Sequence, residues 1–174
     1  MKRIAALILT FALALGCFAG CAAQEEKTSG GFDGTLEELA AKIYENHSAL
    51  ELRLMTMEMD LTDPDAMRYN AGLSDVSGLS EAVISEPMMG SQAYSLVLVR
   101  VKETADAGKV AQTMFDNIDT RKWICVEADT KTAAYCGDVV MFFMVGSNFS
   151  EQVTPQTMLD AFKASVSGDV TVVG

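Results

Sequence analysis

The sequence predicts an α+β fold: an antiparallel sheet with helices packed mainly on one face, preceded by a signal peptide and a flexible tether. Three observations carry this. Helix-periodic stretches are interspersed with short runs of alternating or β-branched apolar residues. The runs come in consecutive pairs before single helices, which suits hairpins better than the crossovers of a parallel sheet. Finally, Gln112–Ile118 (QTMFDNI) is echoed by Gln156–Phe162 (QTMLDAF), each closing a strand-then-helix stretch. Two ββα units would explain the echo, and so would two unrelated amphipathic helices.

Taken in order, Lys2 and Arg3 precede an uncharged, mostly apolar run from Ile4 to Phe18. Its length fits the core of a signal peptide and is short for a spanning helix. Phe18-Ala19-Gly20-Cys21 resembles the bacterial lipobox, which implies a diacylglycerol on the Cys21 sulfur and cleavage before it. Cys17 also follows a glycine, but the bulky Leu15 stands where a small residue is expected. Two acyl chains suffice for a stable anchor. Residues 22–34, AAQEEKTSGGFDG, read as a flexible tether. The expected organisation is a signal peptide over 1–20, a lipidated tether over 21–34, one α+β domain over 35–166, and a tail or edge strand over 167–174.

Within the domain, Thr35 and Glu38 have capping-box spacing and open a helix over about 36–47. Leu50, Leu52 and Leu54 alternate, and then Met55, Met57, Met59 and Leu61 alternate in the opposite phase. A β-bulge, or a turn between two short strands, would write that jump between 54 and 55. Asp63-Pro64 starts a short helix that Gly72 ends. Glu81–Glu86 and the β-branched Tyr94–Lys102 read as strands joined by a Met88–Gln92 loop. A helix over about 106–121 follows, with Arg121 and Lys122 suited to its C-terminal dipole. Trp123–Glu127 and Ala133–Cys136 are candidate strands. Gly137-Asp138 reads as a turn, Val139–Val145 as a buried strand, and Thr154-Pro155 as the start of the last helix.

The formal charge is −11, and loss of the export segment, with two bases and no acid, takes it to −13. That balance opposes binding to nucleic acid, where affinity comes from bases neutralising phosphates, and electrostatic adhesion to anionic lipid. The remaining membrane contact is the N-terminal lipid. No Gly-x-Ser-x-Gly, His-Glu-x-x-His or phosphate-binding loop is present, so no catalytic residue, cofactor or metal ligand is assigned.

Four features could carry chemistry. Met55, Met57 and Met59 on one strand face, helped by Met88, Met89 or the single His47, could hold Cu(I) through soft thioethers. Alternation in a strand also points methionines into a core as gap-fillers, and eleven of them spread along the chain favour that reading. Cys125 and Cys136 would face each other across a hairpin turning at Thr130-Lys131, bridged or as free thiols. Asp60, Asp63 and Asp65 lack the glycine and distal glutamate of a calcium loop, and helix capping accounts for Asp63. Carboxylate pairs cannot discriminate in a chain with 24 acids.

Tyr69-Asn70-Ala71-Gly72-Leu73-Ser74-Asp75, then a strand, then Glu86-Pro87-Met88-Met89 and a second apolar strand resemble a family of small bacterial lipoproteins formed by a single domain of unknown function. The helix near Asp106 and the apolar strand after Gly137 continue the resemblance over about 36–165. It implies a location and a fold, and it implies no activity. The expected function is a non-enzymatic domain that binds a partner in the cell envelope, with Met88-Met89-Gly90 as its candidate surface if the loop is open; a loop folded back over the core is the stronger expectation for these two methionines. The alternatives are a small-ligand or Cu(I) site, or an envelope enzyme with an acidic site.

Overall fold

A computed structural model describes residues 30–47 and 52–174. The signal peptide, Cys17, Cys21, the tether as far as residue 29, and Leu50 lie outside the described residues. Four helices and six strands follow in order: α1 (Leu36–Glu45), β1 (Leu54–Glu58), α2 (Pro64–Ala71), β2 (Leu79–Pro87), β3 (Tyr94–Val101), α3 (Ala107–Asn117), β4 (Thr130–Cys136), β5 (Val139–Val145), α4 (Pro155–Ser165) and β6 (Thr171–Val173). The strands form one sheet in the order β1-β2-β3-β5-β4-β6, and every pair is antiparallel. The fold class is α+β, as the sequence predicts. The C-terminal segment is an edge strand, and no described helix is long and apolar enough to cross a membrane.

The layering differs from the expected one. Leu96 and Leu98 of β3, with Met141 and Phe143 of β5, pack against Leu39 and Ile43 of α1 and Leu159 and Phe162 of α4. Their neighbours Val97, Val99, Val140 and Phe142 pack on the other face against Met67 of α2 and Ala111 and Met114 of α3. Successive strand residues point to opposite faces, so α1 and α4 roof one side and α2 and α3 the other. Helices on one face only would leave half of VVMFFMV in water. The two ββα stretches exist, as β2-β3-α3 and β4-β5-α4. Their helices lie on opposite faces, so no simple twofold relates them.

Local signals place most boundaries. Thr35 and Glu38 make the predicted capping box, and Asp63 caps α2 through its carboxylate and the N–H groups of Asp65 and Ala66. Gly72 takes φ +70° at the α2 C-cap, where a Cβ would stand 2.9 Å from the Ile118 nitrogen. Gly137 has φ +57°, the left-handed sign that a two-residue hairpin can need at its first position. α3 stops at Asn117 rather than 121, because Ile118 turns extended and buries its side chain. Trp123–Glu127 is not a strand but part of the loop between α3 and β4. The jump between 54 and 55 is neither bulge nor turn, since Leu54 to Glu58 pair with Pro87 to Val83 without a break. Leu52 and Leu54 pack on the α1/α4 side, and Met59 and Leu61 on the other.

The last residues of the expected tether are fastened to the domain. Gly31 bridges Ser167 through two backbone hydrogen bonds of 2.8 and 2.9 Å. Arg100 donates to the carbonyls of Phe32 (3.2 Å) and Gly34 (2.6 Å) while pairing with Glu81 (3.1 Å) and Asp138 (2.7 Å). The N-terminal segment thus joins the domain at the sheet end that holds the β4–β5 turn.

Candidate functional site

The opposite end of the sheet carries the least ordinary chemistry. Glu86 lies near the end of β2, Ser95 near the start of β3, and the α3–β4 loop lays Lys122 over both. The Lys122 side chain is 1% exposed; its ammonium meets Glu86 Oε1 at 2.5 Å and donates to Ser95 Oγ at 3.3 Å. The rings of Trp123 and Tyr69 stand 5.3 and 5.8 Å from Nζ, and the Tyr69 hydroxyl donates to the Lys122 carbonyl. Aromatic faces and a carboxylate both favour the cation there. Burial pushes the Lys122 pKa down, and Glu86 pulls against it. The lysine is therefore a fixed post that holds the loop to the sheet.

Around this post apolar side chains stand in solvent: Ile124 is 80% exposed, Met88 72%, Met89 60% and Tyr69 55%. Exposed apolar side chains grouped at one end of a sheet mark interaction sites more often than residues scattered singly do. Methionine and aromatic residues are also enriched where proteins meet. The sequence pattern puts Lys122 at a helix end and Tyr69 in a helix. Their meeting with Glu86 had no local signal, because residues 53 and 36 positions apart come together only through the sheet.

The other candidates separate. Met55 and Met57 are not core gap-fillers but stand on β1, 41% and 43% exposed, and only Met59 packs against the core. His47 lies on the other face of the sheet beside α4, with Nε2 3.1 Å from Thr157 Oγ1, so it does not join the methionines. It helps line an open groove of about 410 Å³ with Asn46, Thr157, Asp160 and Ala164. Cys125 and Cys136 are both free thiols, the first exposed and the second buried. The hairpin turns at Gly137 instead of Thr130, which leaves Cys125 in the α3–β4 loop and Cys136 at the far end of β4. Burial pushes the Cys136 thiol pKa up.

The three aspartates each serve a local partner. Asp60 accepts from the hydroxyl and N–H of Thr62, Asp63 caps α2, and Asp65 pairs with Arg68 at 2.9 Å. Among the described residues no group of three or more His, Cys, Asp or Glu side chains is arranged to hold a metal ion. The displaced carboxylate pKa values are those of Asp60, Asp75 and Asp129. All three move down, held by hydrogen bonds from Thr62, Ser77 and Ser147 respectively.

Comparison with family models, curated proteins and solved structures finds no match to this chain.

Proposed function

We propose that this chain is a lipid-anchored protein of the extracytoplasmic face of the cell membrane, of the small bacterial lipoprotein family that its Tyr69–Asp75 and Glu86–Met89 landmarks resemble. Its domain binds another envelope protein and is not an enzyme. The anchor rests on the lipobox-like Phe18-Ala19-Gly20-Cys21 behind an apolar core of signal-peptide length. The binding role rests on one observation: Ile124, Met88, Met89 and Tyr69 stand exposed around a side-chain post that is itself buried. A rigid support under adaptable apolar side chains lowers the ordering cost of association. Ser95, beneath the post, and Arg100, at the clasp on the N-terminal segment, are five residues apart on β3, about 17 Å. The surface therefore points away from the end where the tether joins.

The test is photo-crosslinking in the native host, with the reactive residue placed in turn at Met88, at Ile124 and, as a control, at Lys163 on α4. The expected result is one protein captured from positions 88 and 124 and not from 163. Its purified form should bind the wild-type chain and lose at least tenfold in affinity for Ile124→Glu. Capture equal from all three positions, or affinity unchanged by Ile124→Glu, defeats the reading.

A further inference from the structure

Among the described residues, β1 is the outermost strand on its side of the sheet. Two backbone contacts show which of its peptide groups face outward. The Met59 N–H donates to the Ala82 carbonyl at 2.8 Å, and the Met88 N–H to the Arg53 carbonyl at 3.4 Å. Bonded and non-bonded pairs alternate along an antiparallel ladder. With Met55 opposite Glu86 and Met57 opposite Ile84, residues 53, 55, 57 and 59 turn their peptide groups to β2. Leu54, Thr56 and Glu58 turn theirs away from the sheet. Such an edge is a template for another strand.

The side chains on this edge are complementary to themselves. We propose that β1 is an interface between two copies of the chain, paired antiparallel about a twofold axis at Thr56. In that register Thr56 faces Thr56 of the second copy, Leu54 faces Glu58, and Met55 faces Met57. The outward peptide groups of all three even-numbered residues find partners. Met55 and Met57, both exposed in one copy, become a cluster of four on one face, where facing side chains are in contact. Antiparallel pairing also sets the end of one strand that carries the exposed Arg53 along the end of the other that carries Glu58 and Asp60. No like charges face each other directly. A twofold axis makes every such contact occur twice. Five residues a side bury far less than the roughly 800 Å² per partner of a stable complex. The dimer is therefore weak and reversible, and it grows with local concentration. It uses a different strand from the loop surface around Lys122, so either idea can fail without the other.

The experiment uses the full chain in detergent, in a Cys125→Ser background that removes the exposed thiol among the described residues. Thr56→Cys places two sulfurs at the axis, within the separations a disulfide spans. Thr171→Cys on β6, the other outer strand, is the control. Mild oxidation is expected to yield a disulfide-linked dimer from Thr56→Cys above the level of both the parent and Thr171→Cys. Sedimentation should show a concentration-dependent dimer. Met57→Lys, at an exposed position, should lower the dimer fraction several-fold with an unchanged melting temperature. A monomer across the concentration series overturns the proposal. So does a dimer that Thr56→Cys fails to trap above the control, or one indifferent to Met57→Lys.

Discussion

Replacing Glu86 with Gln keeps the shape of the β2 terminus and removes the charge opposite Lys122. The ammonium then remains in a site where its side chain is 1% exposed, with Ser95 Oγ, two aromatic faces and the Gln amide oxygen as partners. Breaking a buried ion pair from one side typically costs about 3–5 kcal/mol. Glu86 is itself 24% exposed, and the amide still accepts a hydrogen bond, so about 2–3 kcal/mol is expected. Lys122→Met should cost less, about 0–1.5 kcal/mol, because the apolar stem stays packed and Glu86 can turn to water. Adding Lys122→Met to Glu86→Gln should then recover stability. Urea unfolding at neutral pH can be followed by Trp123, the single tryptophan, whose ring lies beside the pair. pH supplies a second readout. Without Glu86, burial lowers the folded-state pKa of Lys122 further below the unfolded value of about 10.4. The unfolded chain then binds more protons, so Glu86→Gln gains stability as pH rises towards that value. Lys122→Met lacks this gain. The reasoning is refuted if Glu86→Gln lies within about 0.5 kcal/mol of wild type, or if Lys122→Met is the costlier change.

Three further outcomes follow from single groups. Burial pushes the Tyr44 pKa up to about 12, against hydrogen bonds with Ser85 and Tyr94. The folded state keeps that proton longer, so the stabilisation is complete below pH 10 and is lost as pH rises from 10 towards 12, by roughly 2–3 kcal/mol. Tyr44→Phe should move the alkaline unfolding midpoint upward in circular dichroism, and an unmoved midpoint counts against the assignment. In thiol labelling with peptide mapping, Cys125 should react in the folded protein and Cys136 only after unfolding; a peptide linking the two would contradict the free thiols. For the anchor, mass spectrometry of protein from host membranes should show a diacylglyceryl group lost in Cys21→Ser and kept in Cys17→Ser. An unlipidated product would remove the proposed location.

The elements were legible where the signal is local. The Thr35 and Asp63 caps, Gly72, the Gly137-Asp138 turn and the apolar run Val139–Val145 all stand where the sequence puts them, and the run read as Tyr94–Lys102 ends one residue earlier, at Val101. What was misjudged is how those runs are covered. VVMFFMV is buried along its whole length, and a strand without alternation is the mark of a sheet covered on both faces. The phase change at Leu54-Met55 is a related signal, because Leu52 and Leu54 pack on one face and Met59 and Leu61 on the other. The Trp123–Glu127 misreading has another cause. Trp, Ile and Val look like a strand in isolation, yet Lys122 beside them reaches Glu86, Ser95 and Tyr69, and those long-range contacts hold the segment over the sheet as a loop. The candidate surface was only partly legible: the pair Met88-Met89 draws notice, but the expected loop folded over the core is replaced by two exposed side chains, while Tyr69 and Ile124 gain meaning only from where α2 and the α3–β4 loop converge.

Coverage of both faces also limits where function can sit. With α1 and α4 on one side and α2 and α3 on the other, the sheet can meet a partner only at its rims. The rim at Gly137 is occupied by the N-terminal segment, bridged to Ser167 and clasped by Arg100. The outer strand β6 is only three residues long. The corner formed by β1, the β2–β3 loop and the α3–β4 loop remains, and there Met55, Met57, Met88 and Met89 stand in solvent while Met67, Met114, Met141, Met144 and Met158 are fully buried. Packing explains the buried five. It accounts less well for the exposed four, which leave apolar surface in solvent on an otherwise strongly acidic protein. Their common position argues that they serve contacts made outside the chain, and the two tests above divide them between the β1 edge and the loop surface.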